Sequence, residues 1–257
     1  METDSRTHLP DGIKTTPHHV TAPSADLLTD TGMGTQALSG QRFSLIESKE
    51  GRAYGALLSI VPKSQRIDYI GFLPQSVLSD EKFKPTHTVT AVIAAVFEAA
   101  DIKSSLLGSL PRNAALEGAV KGDFFELPNG GYIHMRHLRD PVEQPYHALA
   151  LAMLNLPYIW GGTGQIGVDC SGLVQSALAA TGIDAPRDAD QQEVQLGQSV
   201  DFTARKSGDL LFWPGHVGIV VDGHRLLHAN AYHMCVAIEP VMQAVERIGA
   251  VRTVKRL

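Results

Sequence analysis

Only two cysteines, Cys170 and Cys235, occur in the 257 residues. Neither a disulfide framework nor a four-cysteine zinc site can be built from them. There is no basic excess either: 22 Lys and Arg stand against 27 Asp and Glu, a formal net charge of -5. Nucleic acid and anionic lipid are therefore not expected partners. Long apolar runs are missing as well. The most apolar stretch, Val89 to Phe97, is interrupted by Thr90 and falls far short of the roughly 20 residues that cross a bilayer. The opening METDSRTHLPDGIKTTPHH sets no apolar run behind a basic start, so no secretory signal is read and the cytoplasm is the expected compartment. What is present is the composition of a folded protein, 44% hydrophobic and 19% charged. The length suits one large domain or two to three small ones.

Residues 1–17 are polar, carry scattered Pro and Gly and show neither a helical nor a strand period, so they read as a flexible leader. From there to residue 82, the runs RFSLIES, AYGALLSIV and RIDYIGFL are separated by KEG and PKSQ. Short apolar runs at turn-length spacing indicate a small antiparallel barrel or sandwich. Residues 83–140 repeat the texture, and both regions end an apolar strand in a Gly-aromatic element, Gly71-Phe72 and Gly130 to Tyr132. A duplicated barrel is the expectation. The linker RDPVEQP, 139–145, carries two prolines and divides this half from residues 141–257, where the texture changes. Tyr146 to Leu156 reads as a helix stopped by Pro157, and Cys170 to Ala180 as a second helix stopped by Gly182. The remainder reads as strands, DLLFW, HVGIVVD, RLLHAN and MCVAIE. Helices followed by antiparallel strands describe an α+β domain.

The sharpest chemical signal is PYIWGGTGQIGVDCSG, residues 157–172. Its glycines allow a tight backbone path that delivers Cys170 to a helix N-terminus, where free N–H groups and the helix dipole favour the thiolate. A base is at hand in LFWPGHVGIVVD, where His216 opens an apolar strand after a Pro-Gly turn; an imidazole is suited to take a thiol proton. His228 follows twelve residues later in LLHAN. A hairpin of that length can set the two rings side by side, so that His228 fixes the tautomer of His216. Eleven histidines are present, and His18, His19, His224 and His233 fall in turn-like contexts. Cys235 lies on a strand with no helix end and no base implied.

Taken together, Tyr158, Trp160, Gly161, Gly162, Asp169, Cys170, Ser171 and Gly172, then GDLLFW, HVGIVV and LLHAN, resemble the NlpC/p60 type of bacterial cysteine endopeptidase. The resemblance implies a papain-like fold and hydrolysis of peptidoglycan stem peptides at the bond between γ-D-glutamate and a diamino acid. It implies Cys170 as nucleophile, His216 as base, His228 as orienting residue and Tyr158 as oxyanion donor. Asp169 and Ser171 match the pair that helps hold the substrate's N-terminus. The segment APRDADQQ, 185–192, resembles the family's cleft loop, with Asp188 as substrate contact and Ala189 where relatives often carry serine. The first half resembles the two SH3-like barrels that precede the peptidase domain in murein-recycling members. From it, Glu47, Tyr69 and Phe72 are the candidates to reach substrate. The expected fold is thus a papain-like α+β peptidase domain preceded by two small SH3-like β-barrels. The expected partner is a murein peptide, L-Ala-γ-D-Glu-diaminopimelate, with a free N-terminal alanine preferred over glycan-linked wall.

Two other readings compete. One is a non-catalytic wall-binding protein; the other keeps the fold but performs amide hydrolysis or acyl transfer on a different acyl substrate. Retention of Cys170, His216 and His228 together favours the peptidase. No cofactor is implied. The two histidines and the cysteine also fit the nucleophile arrangement, and with no carboxylate placed beside them by spacing, a metal centre is not expected.

Overall fold

The structure is a computed structural model that describes residues 4–138 and 144–257. They form two compact units that divide after residue 141. Residues 139–143 of the expected linker lie outside the described residues.

The first unit is built of strands. Seven of them, β1 (Thr16–Val20), β2 (Ser24–Thr29), β3 (Gly32–Leu38), β4 (Arg42–Lys49), β5 (Arg52–Leu58), β6 (Ile67–Pro74) and β7 (Leu78–Ser79), pair in the order β3-β2-β6-β5-β4-β1-β7. The KEG turn shows why the chain reverses where it does. Lys49 pairs with Arg52, and the two residues between them, Glu50 and Gly51, both take positive φ, 52° and 77°. That two-residue geometry matches the twist of the flanking strands. Val20, Leu27, Phe43, Leu57 and Leu73 are buried together as the core of this sheet. β1 begins inside the stretch read as a leader, and Ile70 N–H donates to the Arg6 carbonyl at 2.8 Å. Pro17 obscures this strand in the sequence. It is tolerated because β7 covers only His19 and Val20, leaving Pro17 on an edge where no N–H is needed.

The second set comprises β8 (His87–Thr88), β9 (Ile93–Phe97), β10 (Leu106–Pro111), β11 (Ala115–Leu116), β12 (Ala119–Lys121), β13 (Phe124–Glu126) and β14 (Tyr132–His134). They form a five-stranded sheet in the order β10-β9-β14-β13-β12 and a two-stranded sheet of β11 and β8. Val89, Ala94, Leu110, Phe125 and Ile133 are its buried core. Hydrogen bonding leaves β3 and β7 at the ends of one large sheet and β10 and β12 at the ends of the other. Two small barrels are expected; among the described residues the strands pair as open sheets of seven, five and two strands, with no ring closed by hydrogen bonds.

The second unit is α+β. Its helices are α1 (Tyr146–Leu151), α2 (Cys170–Ala179), α3 (Ala189–Gln195) and α4 (Val241–Ile248). Its strands are β15 (Gln198–Val200), β16 (Leu210–Trp213), β17 (His216–Val220), β18 (Arg225–Asn230), β19 (Cys235–Pro240) and β20 (Thr253–Arg256), in the order β15-β20-β16-β17-β18-β19. α2 is buried from Cys170 to Leu178, as its small and apolar residues on all sides allow. α1 stops at Leu151, short of the expected Leu156, because the chain turns there and Asn155, at φ 69°, gives its N–H to Val236. α3 and α4 stand where loop and strand are expected. Val241 and Ala244 of α4 pack with Val220 and Leu226 of the sheet. Among the described residues, no helix is long and apolar enough to cross a membrane.

Candidate active site

Cys170 is the first residue of α2, and the glycine-rich segment determines how closely that helix end is approached. A Cβ on Gly172 would stand 2.3 Å from the Gly162 carbonyl oxygen, so only glycine admits this contact. Asp169 caps the helix, accepting from Gly172 N–H at 2.7 Å and Gly161 N–H at 2.8 Å. Arg187, only 1% exposed, grips the same carboxylate in a fork, 2.6 Å and 3.0 Å, and donates to Ser171 Oγ at 2.9 Å. Asp169 and Ser171, expected to hold the substrate's amino end, thus also fix the nucleophile's helix through Arg187 and the N–H groups of Gly161 and Gly172.

The thiol is almost enclosed, and the backbone N–H groups of Val217 and Ser171 act to lower its pKa. Burial, and after it the Asp169 charge, pushes Cys170 up to about 11 in spite of those N–H groups and Arg187. The thiolate expected from the helix end alone is thus overruled by desolvation, which penalises the charged form. Tyr158 is half-buried, and burial followed by the charges of Cys170 and Asp169 raises its phenol to about 12. Its hydroxyl keeps its proton and is a donor.

Strand register assembles the base. Ile219 pairs with Leu227 and Val220 with Leu226; carried on, this sets His228 opposite Gly218 and makes His216 its diagonal neighbour on the same face. The rings meet accordingly, His216 Nε2 lying 2.9 Å from His228 Nδ1. One strand further, Leu226 pairs with Glu239, so Glu239 is in turn the diagonal neighbour of His228. Glu239 Oε1 lies 2.7 Å from His228 Nε2 and is bonded by Arg247 Nη2 from the last turn of α4. Burial, ahead of the Arg247 charge, lowers His216 to about 4. Burial, then His216 and Arg247, lowers His228 to about 3. Arg247 neutralises the carboxylate that would otherwise favour a charged His228.

The other expected residues have these surroundings. Asp188 is the N-cap of α3, in a reciprocal capping box with Gln191. Glu47 is exposed on β4 opposite Tyr54 in the first unit. Tyr69 packs with the core of the same sheet, and Phe72 lies under the guanidinium of Arg52, 4.2 Å from the ring centre. Where the sequence places no carboxylate beside the histidines, His228, His233 and Glu239 bring one ligand-type atom each within 4.8 Å of one another. Arg247 already supplies the positive charge at that carboxylate, so a cation would have to displace it.

Residues 155–247 match the NlpC/P60 family pattern. Over 225 residues the chain is 30% identical to a gamma-D-glutamyl-L-lysine dipeptidyl-peptidase of Bacillus subtilis (strain 168), an alignment covering 79% of this chain and 74% of the relative. The chain belongs to the NlpC/P60 family. A protein of the same description from Bacillus cereus is 26% identical over 235 residues, 80% of this chain and 70% of its own. A solved NlpC/P60 family protein from Bacillus cereus shares the fold, with a TM-score of 0.77 at 21% identity over 94% of this chain and 99% of that one.

Within this NlpC/P60 site, Arg187, Glu239 and Arg247 escape the sequence reading. For Arg187 the only signal is its place in the cleft-loop motif. For Glu239 and Arg247 the signals are strand parity with His228 and the apolar spacing Val241, Ala244, Val245, Ile248 of a helix.

Proposed function

We propose that this chain is a cysteine peptidase that hydrolyses the γ-D-glutamyl–diamino acid bond of cell-wall stem peptides. The observation that carries the reading is that Cys170 opens α2, which packs against β17, the strand on which His216 stands with its Nε2 2.9 Å from His228 Nδ1. The likeness to a dipeptidyl-peptidase across both units, 79% of the chain, supports the substrate class. His216 Nδ1, the nitrogen not used toward His228, takes the thiol proton as sulfur attacks the γ-carbonyl carbon. The Tyr158 hydroxyl donates to the resulting oxyanion. Collapse expels the diamino acid amine, which takes the proton from His216, and water then releases the acyl group from Cys170.

The proposal extends to the first unit as a pair of SH3-like domains, with Glu47 and Tyr69 as contacts for a free N-terminal L-alanine. A dipeptidyl-peptidase activity requires such an end. Asp169, which remains an acceptor beside Arg187, and Glu47 are the carboxylates proposed for the ammonium group.

The test is mass spectrometry of L-Ala-γ-D-Glu-meso-diaminopimelate and of its L-lysine counterpart after incubation with the protein. Release of the free diamino acid is expected, with Cys170→Ala slower by at least about 10³-fold in kcat. N-acetylation of the alanine is expected to lower kcat/KM by about tenfold or more. Binding of peptide without cleavage would replace the peptidase with a wall-binding protein, and cleavage of intact sacculi as fast as of the free peptide would remove the preference for a free end.

A further inference from the structure

We infer that Glu239, held by Arg247, fixes the proton arrangement of the His216–His228 pair and is a positioning residue for the Cys170 reaction; this rests on the peptidase reading above. His228 Nε2 is fully enclosed and has no aligned hydrogen-bond partner, while Glu239 Oε1 lies 2.7 Å away. An ionised carboxylate only accepts, so a small turn of either side chain bonds the two only when the neutral ring carries its proton on Nε2. His228 Nδ1 is then bare and can only accept across the 2.9 Å contact from His216 Nε2. His216 must therefore carry its proton on Nε2, which leaves Nδ1 bare, the form a thiol proton needs. Each step follows from the one before, and the direction of the whole chain comes from the carboxylate.

Two further observations fit this role. Glu239 is 7% exposed, and a carboxylate so enclosed persists only with a partner; Arg247 provides it on the same oxygen that faces His228. Arg247 is itself seated, its guanidinium 4.3 Å from the centre of the Tyr232 ring, a cation–π distance. The charged and titratable groups at Glu239 are then His228 on β18, His233 in the following turn and Arg247 on α4. When His216 accepts the thiol proton, the same carboxylate lies one ring away from the new positive charge. An amide in its place could turn either its oxygen or its NH2 group to His228, and the second choice reverses the chain.

The experiment compares wild type with Glu239→Gln, Glu239→Asp and Arg247→Lys, by proton–nitrogen correlation spectra of the histidine rings and by steady-state kinetics on L-Ala-γ-D-Glu-meso-diaminopimelate. Wild-type spectra are expected to show His228 and His216 both protonated on Nε2. Glu239→Gln is expected to disturb that signature and to lower kcat by about 10²-fold or more with little change in KM, as loss of a tautomer-fixing carboxylate does elsewhere. Glu239→Asp is expected to restore the signature and part of kcat, and Arg247→Lys to keep both within about tenfold. If Glu239→Gln unfolds, the wild-type tautomers and the aspartate and lysine variants still decide. Wild-type His228 protonated on Nδ1, or a Gln variant with unaltered ring signals and kcat within about twofold, overturns the inference. A wild type that cleaves no stem peptide counts against the proposed function instead, and the ring spectra, which need no substrate, still judge Glu239.

Discussion

At Cys170 and His216 desolvation acts in opposite directions on two groups of opposite charge type. The thiol rises to about 11 and the imidazole falls to about 4, so at neutral pH the free protein holds an uncharged pair. Ultraviolet thiolate absorbance, taken as wild type minus Cys170→Ala, is expected to show no step between about pH 5 and pH 8. A step in that window would mean a preformed thiolate–imidazolium pair. The histidines also link stability to pH. With His216 lowered to about 4 and His228 to about 3, the unfolded chain binds their protons first. Their stabilisation is whole above about pH 6.5 and falls as pH drops toward their folded values, by up to roughly 1.4 kcal/mol per pH unit for each ring. Urea midpoints at about pH 7 and pH 5 should therefore differ more for wild type than for His228→Gln, and equal differences would contradict burial of a neutral His228. Cys170, His216 and His228 are legible in the sequence because each sits in a short motif whose residue types carry the chemistry. Glu239 is not, since a lone glutamate before a proline looks like any strand end until pairing sets it beside a histidine.

Helices mark the other limit of legibility. α2 is read to within a residue because small and apolar side chains run between an Asp-Cys-Ser start and a glycine stop. α4 has the helical spacing Val241, Ala244, Val245 and Ile248, but it follows a strand so closely that the period is easily taken for its continuation. α3 offers no apolar period at all, since ADQQEVQ is nearly all polar, and its start is set by the capping box of Asp188 and Gln191. Asp188→Ala should then lower stability by about 1 kcal/mol, while Asp188→Asn, which keeps an accepting oxygen, should lose little. Denaturant titration separates this from the cleft-contact expectation. A rise in KM for the Asn variant at unchanged stability would mark Asp188 as a substrate contact after all.

In the whole molecule, every member of the proposed reaction chain belongs to the second unit, and the strands of the first form sheets with their own cores. The apolar alternation behind those sheets is plain in the sequence, whereas whether hydrogen bonds close them into rings depends on the edges at β3, β7, β10 and β12, which no local pattern encodes. The second unit has an uneven layout along the chain. His216, His228, Glu239 and Arg247 fall between residues 216 and 247 on successive strands and the next helix, while Cys170 lies 46 residues before His216. Contacts near in sequence close at lower entropic cost than distant ones. Pulse-labelled hydrogen exchange during refolding should find β17 to β19 amides protected before those of α2; the reverse order would refute a hairpin-first path. A hairpin-first path makes the layout a safety catch: the thiol joins the base only once the unit is nearly complete, so an unfinished chain carries a cysteine but no working hydrolase.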